Sequence, residues 1–344
     1  MPLTSSRLSL IQLHVSVLLA GGAGLFAKFV GVSPAVITCA RTLFGSVALA
    51  AAAALMGAGL RVRRGKDLLM LALSGAILAV HWFSFFVSIQ VSTVAIGLLA
   101  FSSFPLFVTF LEPLVFKERL HRRDVITAVV VVVELVLVTP SWDLSDHLTQ
   151  GVLWGVFSAF TYAVLSLMSR WYVRGYPTLT VAFYQQAMAA LCALPFALRW
   201  EGAYTGQDVL LLVVLGVVFT GLAQGLAVAS LRHLRAQTVG IAFGMEPVYG
   251  IVFAWLLLHE LPSIRTLCGG SLIFGAVLWA SYQQSRERGG GEGETLRLGE
   301  EERMTNDEWR RVLCSLLAAS SVVFRRPNEA RRRQWNAALP FLTA

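Results

Sequence analysis

Ionisable side chains inside long apolar stretches mark where chemistry concentrates, because each costs a few kcal/mol or more in a membrane and must face something polar. Glu246 stands in such a stretch, GMEPVYGIVFAWLLLHE, beside Pro247. A carboxyl there can carry a proton or meet a cationic group on a ligand. It can equally cap backbone that Pro247 frees from the helix. Glu134 interrupts the run VVVVVELVLV, and reads as either a functional acid or an ordinary paired one. Arg41 follows a small residue in ITCARTLFGS, placed to attract a carboxylate or phosphate, or to pair with an acid. Glu112-Pro113 lies near the end of its apolar run, where snorkelling to water is expected. His14 and His81 also fall within apolar runs. An imidazole titrates near neutral pH and hydrogen-bonds both ways, though a buried His is also a common packing residue.

Around these stand groups that would line a cavity. Trp82 and Phe86, with Phe85, offer an aromatic wall for an apolar or ring-bearing ligand. Phe101, Ser102, Tyr162, Gln185, Gln224, Met245 and Tyr249 complete the candidate set. No metal-ligand spacing links the four cysteines, and the chain lacks an HExxH helix, a Gly-x-Ser-x-Gly elbow and a phosphate-cradling loop. Neither a metal, a cofactor nor enzymatic catalysis is expected.

The elements that must hold these residues are membrane helices. The chain is 56% hydrophobic and 14% charged, with a mean hydropathy of +0.68. Soluble domains carry about 25% charged residues. Apolar stretches near 20 residues long recur, enough for helices to cross a hydrocarbon core of ~30 Å. We read ten spans, near 9–28, 34–58, 67–88, 93–116, 123–140, 150–170, 177–198, 208–230, 237–258 and 264–283. Residues 1–24 have the outline of a signal peptide, but the duplication below needs them as the first span.

The chain carries its own copy. Val94–Leu120 slides onto Ala236–Pro262 without gaps at a shift of 142 residues, which superposes Ala100, Phe101, Pro105, Leu114 and Glu118 on Ala242, Phe243, Pro247, Leu256 and Glu260. Arg123 falls on Arg265, whereas Glu246 falls on Phe104, so any proton role for it would be asymmetric. Five spans per copy is an odd number, so the two copies sit inverted in the bilayer. That is the architecture of secondary transporters, with substrate bound between the halves. Lys and Arg crowd the loops after spans 2, 4, 6 and 8, and count 13 on that side against 3 on the other once Arg7 is included. The positive-inside rule then puts both termini in the cytoplasm. The net charge of +8 is explained by these loops rather than by nucleic acid.

Several segments resemble the EamA-type repeat of the drug/metabolite transporter superfamily. HELPSIRTLCGGSLIFGAVL is similar to its last span and GMEPVYGIVFAWLLLHE to the one before; FKERLHRRDVITAVVVVVELVLV is similar to the first copy of that ending, with Glu134 near where the family prefers Gly. SPAVITCARTLFGSVALAAAAL and PTLTVAFYQQAMAALCALP look like the second span of each copy. The resemblance covers about 9–283. It implies a ten-helix carrier of the inner membrane working by alternating access, with a site framed by spans 3, 4, 8 and 9 and helped by 1, 2, 6 and 7.

The expected fold is therefore an all-α membrane protein of ten transmembrane helices in two inverted five-helix repeats, 1–140 and 150–283. A tail over 284–344 is expected to be cytoplasmic and largely disordered, with a possible amphipathic helix and a basic end suited to anionic lipid. The expected function is export of small metabolites such as amino acids or drug-like amphipathic compounds, proton-coupled or gradient-driven, by a monomer or homodimer. The alternatives are a membrane scaffold or receptor, and a nucleotide-sugar or phosphate antiporter.

Overall fold

The structure is a computed structural model. It describes residues 5–279 except 118, 119, 121, 140–142, 232, 235, 273 and 276–278. Glu118, the loop residues Arg119, Arg232 and Arg235, and the expected tail over 284–344 lie outside the described residues.

Every described element is a helix. The first span is α1 (Ser5–Ala23) continued by α2 (Phe26–Phe29) after a turn at Gly24. The second and third are α3 (Pro34–Leu55) and α4 (Gly65–Val91); the fourth is α5 (Val94–Phe101) and α6 (Phe104–Phe116); the fifth is α7 (Arg122–Val138). The second repeat follows with α8 (His147–Tyr172) and α9 (Thr178–Ala197). Its third span is α10 (Gly206–Gly216), a π-helical turn (Val217–Leu222) and α11 (Ala223–Ser230). Its fourth is α12 (Ala236–Phe243) and α13 (Glu246–Leu258), and its fifth is helical over 264–272. Seven of these spans are long and apolar enough to cross a bilayer as they stand; Ala128–Leu137 and Glu246–Leu258 are shorter apolar helices. The ten-span, two-repeat architecture expected from sequence is the one observed.

Local chemistry sets the boundaries. Pro34 opens α3, where its missing N–H costs nothing, and the Ser33 hydroxyl accepts from Val36 N at 3.4 Å. Thr93 caps α5 by accepting from Ile96 N at 3.2 Å. Thr205 and Asp208 form a reciprocal capping box at α10. The fourth span of each repeat is broken just before a proline in the second position of its second piece, Pro105 in α6 and Pro247 in α13.

The two breaks are copies. Shifted by 142 residues, α5 becomes α12 and α6 becomes α13, end for end, and Ser102-Ser103 becomes Gly244-Met245. Both second pieces end on a left-handed residue, Lys117 (φ 53°) and His259 (φ 55°).

Packing between the repeats obeys the same exchange. Span 2 meets span 7 (α3 on α9), which the exchange maps onto itself. Span 3 packs on span 6 (α4 on α8) as span 1 packs on span 8 (α1 on α11); span 4 packs on span 6 (α5 and α6 on α8) as span 1 packs on span 9 (α1 on α13). Each repeat thus buries its apolar faces chiefly against the other.

Glycines let these helices approach. A Cβ on Gly21 of α1 would lie 2.8 Å from Tyr249 Cβ and 2.9 Å from the Glu246 carbonyl oxygen. One on Gly45 of α3 would meet Thr220 Cγ2 at 3.1 Å and the Gly216 carbonyl at 3.2 Å, so α3 lies backbone to backbone on the π-helical turn.

Candidate functional site

A cavity of about 20 Å³, room for about one water molecule, opens between the repeats. Repeat one contributes Ser16 and Ala20 from α1, His81 and Trp82 from α4, and Phe101 from α5. Repeat two contributes Tyr162 from α8, Phe219 and Thr220 from the π-helical turn, Ala223 and Gln224 from α11, Phe243 from α12 and Glu246 from α13. The 142-residue shift pairs most of this lining. Ala20 maps onto Tyr162, His81 onto Ala223, Trp82 onto Gln224 and Phe101 onto Phe243. The cavity therefore lies where the repeats exchange, which is where an inverted-repeat carrier binds substrate.

Glu246 is the first residue of α13, placed at the cavity by the break before Pro247. It is 2% exposed, and no described residue hydrogen-bonds its carboxylate. Arg41, wholly buried on α3, is near enough for the two charges to interact, without an ion pair between them. Arg41 Nε donates to Thr220 Oγ1 at 3.0 Å, and Thr220 Oγ1 donates to the Leu215 carbonyl at 2.8 Å. The guanidinium carbon stands 3.3 Å from the Trp82 ring centroid and 5.2 Å from that of Phe86. Both terminal nitrogens of Arg41 lack partners. Arg41 thus stands one layer behind the cavity wall, held by the π-helical turn and a cation–π contact.

His81 is also fully buried. Ser158 Oγ donates to the His81 carbonyl at 3.1 Å and lies 2.8 Å from His81 Nδ1, which is 3.1 Å from the Ser158 carbonyl. The Ser158 carbonyl can only accept, so a ring proton on Nδ1 satisfies it and leaves Nε2 as an acceptor; Nε2 has no partner. The ring lies 4.4 Å from Trp82, 5.3 Å from Phe101 and 4.7 Å from Tyr162, centroid to centroid. Phe104, the repeat counterpart of Glu246, packs 5.0 Å from Tyr162. The site offers a buried carboxyl group, an imidazole and the Gln224 amide in an aromatic box.

Other expected site residues lie elsewhere. Phe86 is buried behind Trp82. Ser102 turns its hydroxyl onto the Leu99 carbonyl, satisfying backbone at the α5–α6 break. Gln185 donates from Nε2 to Ser169 Oγ at 2.8 Å, outside the cavity wall. Met245 packs on the cluster of Ile96, Leu99, Ala100 and Val152. Tyr249 meets α1 at Gly21. His14 is exposed on the outer face of α1, against the expectation that it faces the interior; Ser16, two residues on, takes the inward position. Glu134 is wholly buried with both carboxylate oxygens unpartnered, so it is not an ordinary paired acid. Glu112 does not snorkel: it is 3% exposed and pairs with Arg170 of α8.

Sequence reasoning missed Ser16, Ala20, Phe219, Thr220, Ala223 and Phe243 in the wall, and Ser158 behind it. One signal was available. Gly216 and Gly221 both meet α3 although they stand five residues apart, a spacing that shares a face on a π turn and not on an α-helix.

The EamA-like transporter family matches residues 7–139 and 149–282. The chain belongs to that family. This EamA-like transporter is 28% identical over 220 residues to the pseudopaline exporter CntI of Pseudomonas aeruginosa, covering 63% of this chain and 75% of the relative. It is 23% identical over 216 residues to the uncharacterized transporter YxxF of Bacillus subtilis, covering 62% and 69%. It is 24% identical over 195 residues to an S-adenosylmethionine uptake transporter of Rickettsia felis, covering 54% and 62%. A solved crystal structure superposes with a TM-score of 0.67 at 24% identity, over 82% of this chain and 98% of that one, a likeness of fold.

Proposed function

We propose that this EamA-like transporter exports small amphipathic metabolites bearing a cationic nitrogen, amino acids among them, by proton-coupled alternating access. The observation that carries this reading is Glu246, whose unpartnered carboxylate faces a cavity at the exchange point of two inverted repeats. A substrate cation and a proton compete for that one carboxylate, so loading one releases the other. The aromatic walls take the apolar body of the substrate, and His81 Nε2 accepts a hydrogen bond from it. A cavity of about 20 Å³ admits no metabolite, so the helices around it part on one side at a time to load and unload.

Export follows the pseudopaline exporter, at 28% identity, rather than the S-adenosylmethionine uptake transporter, at 24%. The loop charges support a cell inner membrane location with both termini cytoplasmic. Ten spans form a complete carrier in one chain, so a monomer suffices and a homodimer is not required. A phosphate-bearing substrate fits less well, because Arg41 stands behind Thr220 and Trp82 while Glu246 fronts the cavity.

Inside-out vesicles carrying the protein are tested with a panel of labelled amino acids and amphipathic amines. We expect uptake of one class that collapses with a protonophore, and loss of the proton dependence in Glu246→Gln with folding intact. Retained dependence in Glu246→Gln removes Glu246 as the sole proton carrier. No flux of any class above empty vesicles overturns the transport reading.

A further inference from the structure

We infer that Glu134 is a second proton-binding site, held at the helix break of the first repeat as Glu246 is held at the break of the second. The 142-residue shift places Glu246 on Phe104, and places Glu134 on Ala276. Each repeat therefore carries one acid at the break of its fourth span, but from a different helix. In repeat two the acid opens α13 itself. In repeat one α7 supplies it, packing against both α5 and α6 and bringing Glu134 beside Ser102 at the break.

The surroundings of Glu134 call for a proton and not another ligand. Its exposure is 0%, and neither carboxylate oxygen has a partner. Ser102 is the neighbouring polar group, and its hydroxyl is committed to the Leu99 carbonyl. Among the described residues, no basic side chain forms an ion pair with Glu134. α5 carries no ionisable residue, and α6 carries only Glu112, which pairs with Arg170 of α8. Glu246 opens into the central cavity. Arg122, Arg123 and Asp124 lie three turns back along α7, at its start. A sodium ion needs several oxygen ligands around it, and here Ser102 is the polar side chain beside the acid among the described residues. A proton needs no space. An uncompensated buried carboxylate costs several kcal/mol, so the site exchanges its proton only when α5 and α6 shift at the break and let water reach it.

This inference does not depend on Glu246 coupling transport, and it is tested without substrate. The full-length protein in lipid nanodiscs is titrated from acid to alkaline pH under infrared difference spectroscopy, following the carbonyl stretch of protonated carboxylic acids. We expect a pH-dependent band that is lost in Glu134→Gln and kept in Glu246→Gln, unmoved when sodium chloride replaces choline chloride at constant pH. An unchanged set of bands in folded Glu134→Gln overturns the inference. So does a band that sodium abolishes, which makes the site one for a metal cation. Should Glu134→Gln fail to fold, Ser102→Ala leaves the carboxyl in place and is expected to shift the band by changing its one polar neighbour. An unshifted band there counts against the site.

Discussion

Ser16 and Ser158, 142 residues apart, make the same hydrogen bond across the boundary between repeats. Ser16 Oγ donates to the Ala223 carbonyl at 2.8 Å, and Ser158 Oγ donates to the carbonyl of His81, the counterpart of Ala223, at 3.1 Å. Duplication has kept the bond, and divergence has added an imidazole to one copy. The two serines therefore separate structure from function. Ser16→Ala removes one buried hydroxyl–carbonyl bond at the cavity wall and is expected to lower stability by about 1 kcal/mol, with a smaller effect on transport affinity than Ser158→Ala. Ser158→Ala loses the same bond and also removes the hydroxyl beside His81 Nδ1, so it is expected to weaken substrate affinity as well. Thermal unfolding in detergent, set beside the KM for flux, checks the difference.

Gly21 is the point where α1 lies against the first turn of α13. A methyl group there would stand 2.9 Å from the Glu246 carbonyl and 2.8 Å from Tyr249 Cβ, both closer than real Cβ contacts allow. Neither atom is the free end of a flexible side chain, so α13 must move as a body. Gly21→Ala is expected to cost about 1–3 kcal/mol and to displace Glu246 from the cavity, lowering transport more than stability alone explains. Gly31, with open space around it, is the control: Gly31→Ala is expected to leave both unchanged.

The left-handed residues closing α6 and α13 are not glycines. An L side chain in that region costs roughly 1–2 kcal/mol, so His259→Gly and Lys117→Gly are each expected to raise the unfolding temperature by a few degrees. His259→Val is expected to lower it. A fall with glycine at either site would mean that the side chain holds the turn by contacts worth more than the strain.

The repeat made the fold legible. Apolar run lengths and the 142-residue shift located the ten spans, while the breaks inside the fourth span of each repeat were not read, although Pro105 and Pro247 coincide at that shift. Of the site, His81, Trp82, Phe101, Tyr162, Gln224 and Glu246 share the cavity wall because aromatic and polar residues are costly to leave facing lipid without purpose. Rotation about each helix axis was harder to read. A membrane helix is apolar toward lipid and toward its neighbours alike, so the pattern that betrays the buried face of a soluble helix is faint. His14 and Ser16 show the consequence: the larger polar group faces out and the smaller faces the cavity. Thr220 was hidden for another reason, since the π-helical turn rotates its face away from α-helical spacing.

Glu112 and Arg170 tie α6 of one repeat to α8 of the other at one end of the bundle, with Phe116 4.5 Å below the guanidinium. The shift maps Arg170 onto Lys28 and Glu112 onto Ala254, so the counterpart of this pair lacks its acid. There Lys28 donates to the Ser92 carbonyl at 3.0 Å, in an exposed contact. One end thus carries a buried ion pair, while the other adds carboxylates that accept from backbone N–H of the opposite repeat, Glu260 from Val94 at 3.3 Å and Asp208 from Gly31 at 3.4 Å. Removing a single partner strands a buried charge and typically costs 3–5 kcal/mol; Glu112→Gln and Arg170→Met are each expected to destabilise the closed form at that end. The double substitution leaves neither member of this pair stranded and is expected to recover part of the loss. On the proposed alternating access, which opens each end in turn, either single variant should also raise labelling of a cysteine placed at Val115, buried one turn on from Glu112. Lys28→Met, in contrast, should change labelling at Val115 little. Equal labelling in all three variants would separate the ion pair from opening and leave it a purely structural contact.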